Sequence, residues 1–143
     1  MENILASTEV NKQLARDYIM AFGEGDEAWL RRHIAPEFRR NDPGLPFEVR
    51  GPEGVTQLVG GFRSGIPDMA LHIEDVVAEG EKVLVRLRAK GTHSGDLMGI
   101  PATGRPIDID VLDLLQFRDG LLVEQWALID SLGLLRQIGV TQI

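Results

Sequence analysis

Apolar and polar positions along this chain change period once. Before residue 66 the apolar residues recur at helical spacing, and after it they alternate. In STEVNKQLARDYIMAF, Val10, Leu14, Tyr18 and Phe22 share one face, and Ser7 and Thr8 are the expected capping residues. GEGD ends that helix, and EAWLRRHI predicts a short second one. APEFRRNDPGLPFEV mixes Pro, Gly and Asn with extended residues and predicts a loop with short strands. GPEGVTQLVGGFR predicts a helix with Pro52 in its first turn and Val55, Leu58, Val59 and Phe62 on its apolar face. The segments MALHIEDVVAEG, EKVLVRLRAKGTHSG, PIDIDVLDLLQFRDG and LLVEQWALID read as strands, with hairpin turns at GEK and RDGL. SLGLLRQIGV predicts a closing helix capped by Asp130 or Ser131. Helices followed by an antiparallel meander define an α+β fold, N-terminal helices packed on one face of a curved sheet, in a single domain over residues 1–143.

The turn between the last two strands decides which side chains face inward. A three-residue loop with Gly120 in the left-handed position pairs Phe117 with Leu121, Leu115 with Val123, Asp113 with Gln125, Val111 with Ala127 and Ile109 with Ile129. That register gives an apolar face broken only by Asp113 and Gln125. A two-residue loop would send those two to opposite faces, so the three-residue loop is preferred. The other face carries Leu112, Leu114, Leu122, Trp126 and Leu128 beside Asp108, Asp110 and Glu124. It is too apolar for open water and predicts a homodimer through the outer sheet face, with cover by local loops as the alternative.

Composition removes several classes of function. A net charge of -7 argues against nucleic-acid and anionic-membrane partners, which need clustered Lys and Arg. The chain has no Cys, which excludes thiolate chemistry and disulfides. The first ten residues lack a basic segment followed by an apolar run, and no stretch is long enough to span a bilayer, so a cytoplasmic location is expected. No His, Asp and Glu spacing suggests a metal site, no nucleophile elbow appears, and GGFRSG neither follows a strand nor opens a helix.

Taken together, GPEGVTQLV, IEDVVAEGEKVLVRLRAKGTHSGDLMGIPATGRPI, FRDGLLVEQW and LGLLRQIG resemble the SnoaL-like polyketide cyclases of the nuclear-transport-factor-2-like superfamily over nearly the whole chain. The resemblance implies a cone-shaped α+β barrel whose sheet wraps a deep pocket, and pairing through the convex side. It also implies ring closure by an intramolecular aldol step without metal or cofactor. The acid/base Asp of such cyclases lies on the last strand, two residues after a His, in a pattern like EHWD. This chain has EQWA, with Gln125 in the His position and Ala127 in the Asp position. In NDP, Asn41 stands where many members have a His.

The candidates follow from both lines. Asp113 on an apolar face is either a protonated or acid/base carboxyl, or a structural Asp bonded to Gln125 and backbone. Asp42, the second catalytic candidate, and Asn41 sit at the expected pocket mouth, where turn chemistry alone would also explain them. Tyr18, Gln125, Val111 and Ala127 are candidates to contact substrate, and Tyr18 could instead be core. A steroid isomerase of this fold combines an Asp base with a Tyr and a protonated Asp, and Tyr18, Asp42 and Asp113 could be arranged similarly. The epoxide-hydrolase pattern wants an Arg where Val111 stands. His93 reads as a structural residue bonded to a loop, and His33 and His72 are isolated. The expected function is cofactor-independent acid/base catalysis, cyclase or isomerase in type, on a small apolar oxygenated polyketide-like molecule. The alternatives are a non-catalytic small-molecule binder and a hydroxylase-type relative.

Overall fold

The structure is a computed structural model, and it describes residues 4–141. In chain order the elements are α1 (Ile4–Glu24), α2 (Glu27–His33), β1 (Ile34–Asn41), β2 (Val49–Arg50), α3 (Gly51–Gly65), β3 (Ala70–Glu79), β4 (Lys82–Thr92), β5 (Pro106–Arg118), β6 (Leu121–Ile129) and α4 (Ser131–Gln137). The strands form one six-stranded sheet in the order β2-β1-β6-β5-β4-β3. It curls around α1 and α3, whose apolar faces meet its inner side in one buried cluster. This is the α+β arrangement that the change of period predicts.

Three local expectations are corrected. Helix α1 already runs at Ile4, so Ser7 and Thr8 lie inside it rather than at its cap. The segment expected as a loop with short strands holds the eight-residue strand β1, which pairs parallel with β6, so the sheet is mixed rather than antiparallel. Pro36 disguised this strand: it cannot donate to a ladder, and it falls where β1 slips out of register between Ile34 and Arg39. The third correction concerns the β5–β6 turn. It is a two-residue Asp119–Gly120 loop closed by the pair Arg118 and Leu121. Both loop residues have positive φ, 52° and 79°, the conformation whose twist matches the flanking strands.

A two-residue loop alone would have turned Gln125 outward. The register shifts one step later, between Gln116 and Phe117, and leaves Val123 unpaired as a bulge. The extra residue restores the inward face. Leu115 therefore pairs with Gln125, Asp113 with Ala127 and Val111 with Ile129. The five expected pairs are replaced, yet Asp113 and Gln125 share the inner face as expected. Leu122, expected outside, is fully buried on the inner side, and Val123 is only half-buried.

The outer face carries Leu84, Leu112 and Leu128 at 40%, 40% and 58% exposure, beside half-buried Leu114 and Trp126. Arg88 meets both Asp108 and Asp110 at its margin, and Lys82 lies 5.2 Å from the centre of the Trp126 ring. At the sheet's open end, α4 is capped by Asp130, which accepts from the Gly133 N–H. Gln137 ties the helix to β5 by accepting from the Asp108 N–H and donating to its carbonyl. His93 is buried at the start of the loop between β4 and β5. It lies 2.9 Å from the Thr103 hydroxyl and 3.2 Å from the Ile100 carbonyl. A carbonyl only accepts, so Nε2 carries the proton and Nδ1 accepts from Thr103 in the neutral ring. No helix among the described residues is long and apolar enough to cross a membrane.

Candidate active site

Three adjacent strands present one polar residue each to the inner side of the curl: Arg40 from β1, Gln125 from β6 and Asp113 from β5. Strand register makes them neighbours. Arg40 is the parallel partner of Gln125, and Gln125 is one step diagonal from Asp113. Helix α1 crosses above them and lowers Tyr18 onto the amide. All four are nearly sealed from water: Tyr18 at 0%, Gln125 at 1%, Asp113 at 6% and Arg40 at 8% exposure.

Their hydrogen bonds run in one direction. The Tyr18 hydroxyl donates to Gln125 Oε1 at 2.7 Å, and Gln125 Nε2 donates to Asp113 Oδ1 at 2.9 Å. The amide is fully used as a relay, with its oxygen turned to the phenol and its nitrogen to the carboxyl. Asp113 also lines the cavity. A proton on the neutral acid belongs on Oδ2, because Oδ1 is already accepting.

Arg40 is held by Asp42. Its Nε and Nη2 both reach Asp42 Oδ2, at 3.1 and 3.0 Å, and the paired side chains are each 4% exposed. Asp42 Oδ1 accepts from the Gly44 N–H, the Asx turn that its Asp-Pro-Gly setting predicts. The Asp42 carboxylate therefore does both jobs: it forms the turn, and it is the counter-charge of a buried cation. Arg40 also lies 5.8 Å from the centre of the Phe22 ring. Sequence reasoning missed Arg40. The signal was there in FRRN, where Phe38 and the second arginine share a strand face.

Burial, above all, pushes the Asp113 carboxyl up from its ordinary range; Arg40 and the Gln125 bond pull it down less than burial raises it, and Asp42 adds to the rise. Burial likewise holds the Tyr18 phenol well above its ordinary value, against the Arg40 charge. The phenol is thus a donor and never an anion at working pH. The site contains one buried ion pair, Arg40 with Asp42, and one buried carboxyl whose charged form burial disfavours.

Two cavities meet here. An inner chamber of about 60 Å³ holds Tyr18, Arg40, Asp113, Gln125 and Val111, with apolar walls. An outer chamber of about 540 Å³ opens beyond it, between Asp42, Phe47, Met98 and α4. Phe62, Ile129 and Leu134 line both. Of the candidate residues, Tyr18, Gln125, Asp113 and Val111 reach the inner chamber and Asp42 the outer. Ala127 is buried beneath the wall and lines neither. Asn41, expected at the mouth, points elsewhere: its amide donates to Glu124 Oε2 and to the Gln125 carbonyl, both at 3.0 Å. Its place at the end of β1 fixes that direction, since β1 alternates and Arg40 takes the inward turn. Among the described residues no group of three or more His, Cys, Asp or Glu is placed to hold a metal ion.

A curled six-stranded α+β sheet around a lined cavity is a fold shared with an NTF2-like protein of Burkholderia pseudomallei, at a TM-score of 0.74 and 21% identity over 91% of this chain and 98% of that one. The chain belongs to the SnoaL-like polyketide cyclase family, whose model matches residues 12–138. It is 34% identical over 137 residues to the aklanonic acid methyl ester cyclase DnrD of Streptomyces peucetius, covering 93% of this chain and 92% of that one. It is 31% identical over 124 residues to the nogalonic acid methyl ester cyclase of Streptomyces nogalater, covering 85% and 91%. Among solved structures, TsrD from Streptomyces laurentii superposes with a TM-score of 0.81 at 34% identity, over 98% of this chain and all of that one.

Proposed function

We propose that this protein is a polyketide cyclase that closes a ring by an intramolecular aldol step, with Asp113 as the acid/base group. The observation that carries this reading is the pairing of Asp113 with Ala127. In the family pattern the carboxyl stands on the last strand, where this chain has Ala127. Here a carboxyl stands on the directly opposite residue of the neighbouring strand, on the same inner face. Cross-strand partners have Cβ atoms about 4.5–5.5 Å apart, so the acid has moved by one strand and still serves the same cavity. Gln125, in the position of the family His, holds it there.

The step balances within the substrate. Ionised Asp113 removes a proton from a carbon beside a carbonyl, the resulting enolate carbon attacks a second carbonyl of the same molecule, and the new alkoxide takes the proton back. One C–C bond forms and no atom leaves. A raised pKa makes Asp113 a stronger base when ionised and keeps it close to a state that can also donate. Arg40 is the fixed positive charge available to the enolate oxygen, in a site that excludes water. The Arg40–Asp42 pair is neutral overall, so it does not hold Asp113 permanently ionised. We further propose that two chains pair through the outer sheet face, where Leu84, Leu112 and Leu128 are otherwise open to water.

The test uses aklanonic acid methyl ester, the substrate in the names of relatives, in deuterated water. Ring-closed product is expected, with deuterium at the attacking carbon only to the extent that enolate formation reverses before the ring closes, and Asp113→Asn is expected to lose at least about 100-fold in rate, the lower end of what acid/base catalysis supplies. Tight binding of this ester and of nogalonic acid methyl ester, with neither product nor exchange, would instead establish a binding protein.

A further inference from the structure

A primary amide between a phenol and a carboxyl can sit two ways round. As found, Gln125 Nε2 donates to Asp113 Oδ1 at 2.9 Å. That arrangement favours the carboxylate, which only accepts. Reversed, the amide would set Oε1 against Asp113, and two acceptors meet there unless the acid keeps its proton to donate. The two orientations therefore favour opposite protonation states of one carboxyl. The choice between them is made at the far end of the amide. There the Tyr18 hydroxyl gives its single hydrogen to Oε1 at 2.7 Å. A reversed amide would offer Nε2–H to the phenol oxygen and leave the phenol hydrogen without an acceptor. Arg40, whose charge acts on this phenol against the effect of burial, has donors only and cannot take that hydrogen. A buried donor left unpaired is costly, so the amide stays as found. The phenol itself is held by α1 and α2, with the Phe22 and Trp29 ring centres 6.1 and 6.2 Å away.

We propose that Tyr18 is a positioning residue: by fixing which end of Gln125 faces β5, it keeps Asp113 ready to accept a proton. This rests on the reading of Asp113 as the acid/base group. Tyr18 acts through the amide and not on the substrate, because its one hydrogen is already committed. The charged groups near Asp113 are Arg40 of β1 and Asp42 just after it. From β4, α3 and α4 come the apolar Val85, Leu87, Phe62 and Leu134. Tyr18→Phe alters none of these: it keeps the ring and deletes the hydroxyl.

The test is a carboxyl-carbon NMR titration of Asp113 in the intact protein, its signal identified by its loss in Asp113→Asn. The parent, Tyr18→Phe, Gln125→Met and the double variant are measured side by side. One neutral hydrogen bond converts to roughly 0.5–1 pH unit. Tyr18→Phe is expected to raise the Asp113 midpoint by about that much, Gln125→Met by at least as much, and Tyr18→Phe to add no further rise once residue 125 is Met. A midpoint that Tyr18→Phe leaves in place, or raises equally with and without Gln125, would overturn the proposal. Should the Tyr18 variant fold poorly, the unaltered protein gives a second reading: the Gln125 NH2 signals are expected to move at the Asp113 midpoint. Signals that ignore that midpoint would show the amide facing the other way and overturn the proposal as well. Turnover of aklanonic acid methyl ester is read separately. An acid limb of kcat that moves with the NMR midpoint supports both readings. The expected midpoint shifts without any turnover would overturn the catalytic reading of Asp113 while the hold of Tyr18 on Gln125 stands.

Discussion

Replacing Asp113 by Asn isolates the cost of keeping a carboxyl in the cavity wall. The change preserves shape, and the new Oδ1 can still accept from Gln125 Nε2. What it removes is the ability to ionise. Burial raises the native pKa above the ordinary 3.8. At pH below 3.8 both folded and unfolded chains hold the proton, and Asp113 contributes no penalty. As pH rises past that value, the unfolded chain releases its proton and the folded one does not. Stability is then lost at about 1.4 kcal/mol per pH unit until the native group also ionises. The Asn variant lacks this slope. The exposed carboxylates with lowered pKa values, Glu48, Asp68 and Glu81, are common to both proteins and cancel in the difference. Urea unfolding of the two proteins in parallel between about pH 3 and 9 therefore has a definite form. The stability of Asp113→Asn minus that of the parent is flat at the acid end, climbs with pH, then levels off. The pH at which it levels marks the native pKa of Asp113. A difference that stays flat throughout, or that falls with pH, would refute the reasoning that burial outweighs Arg40 and Gln125.

Trp126→Glu places an uncompensated charge at the centre of the proposed pairing face and is expected to give monomers at concentrations where the parent sediments as a dimer; an unchanged sedimentation profile would remove that interface. His93→Ala strips the β4–β5 loop of its bonds to Thr103 and the Ile100 carbonyl and opens a buried void. It is expected to cost roughly 2–4 kcal/mol in unfolding free energy, and a loss below about 0.5 kcal/mol would show that the imidazole is not holding that loop.

The elements that could be read from the sequence are those where one rule governed. Helix α3 carries its start in Pro52 and its buried face in Val55, Leu58 and Val59, and the structure places it at Gly51–Gly65. The β3–β4 hairpin was equally legible, since Gly80 and Glu81 sit between two alternating runs that pair from Glu79 and Lys82 onward. Strand β1 was not legible, because its partner lies more than eighty residues away and its own Pro36 argues against a strand. Arg40 was lost with it. A buried cation announces itself only through the counter-charge that folds beside it, and Asp42 already had a sufficient local explanation as a turn residue.

The β5–β6 hairpin shows why a wrong register still brought Asp113 and Gln125 to one face. The turn and the bulge each shift the pairing by one residue, and each alone would exchange the two faces of β6. Together they shift it by two from Glu124 onward, which leaves the faces of that stretch unchanged and moves each of its partners one pair along. Parity was therefore recoverable from the apolar pattern: Asp113 and Gln125 had to share the side that also holds Val111, Leu115 and Ala127. Pair identity was not recoverable, because Leu121, Leu122 and Val123 are interchangeable in hydropathy and offer no mark of which one bulges. The consequence is chemical. With Gln125 directly opposite, Asp113 would have an amide across from it and no claim on the position of the family carboxyl. With Ala127 opposite, the small side chain leaves the facing position open, and Gln125 reaches Asp113 diagonally from beside Tyr18. With Ala at position 127, Asp113 has no second buried carboxyl across from it; an Asp at both positions would set two buried carboxyls against each other, where only one could ionise near neutral pH.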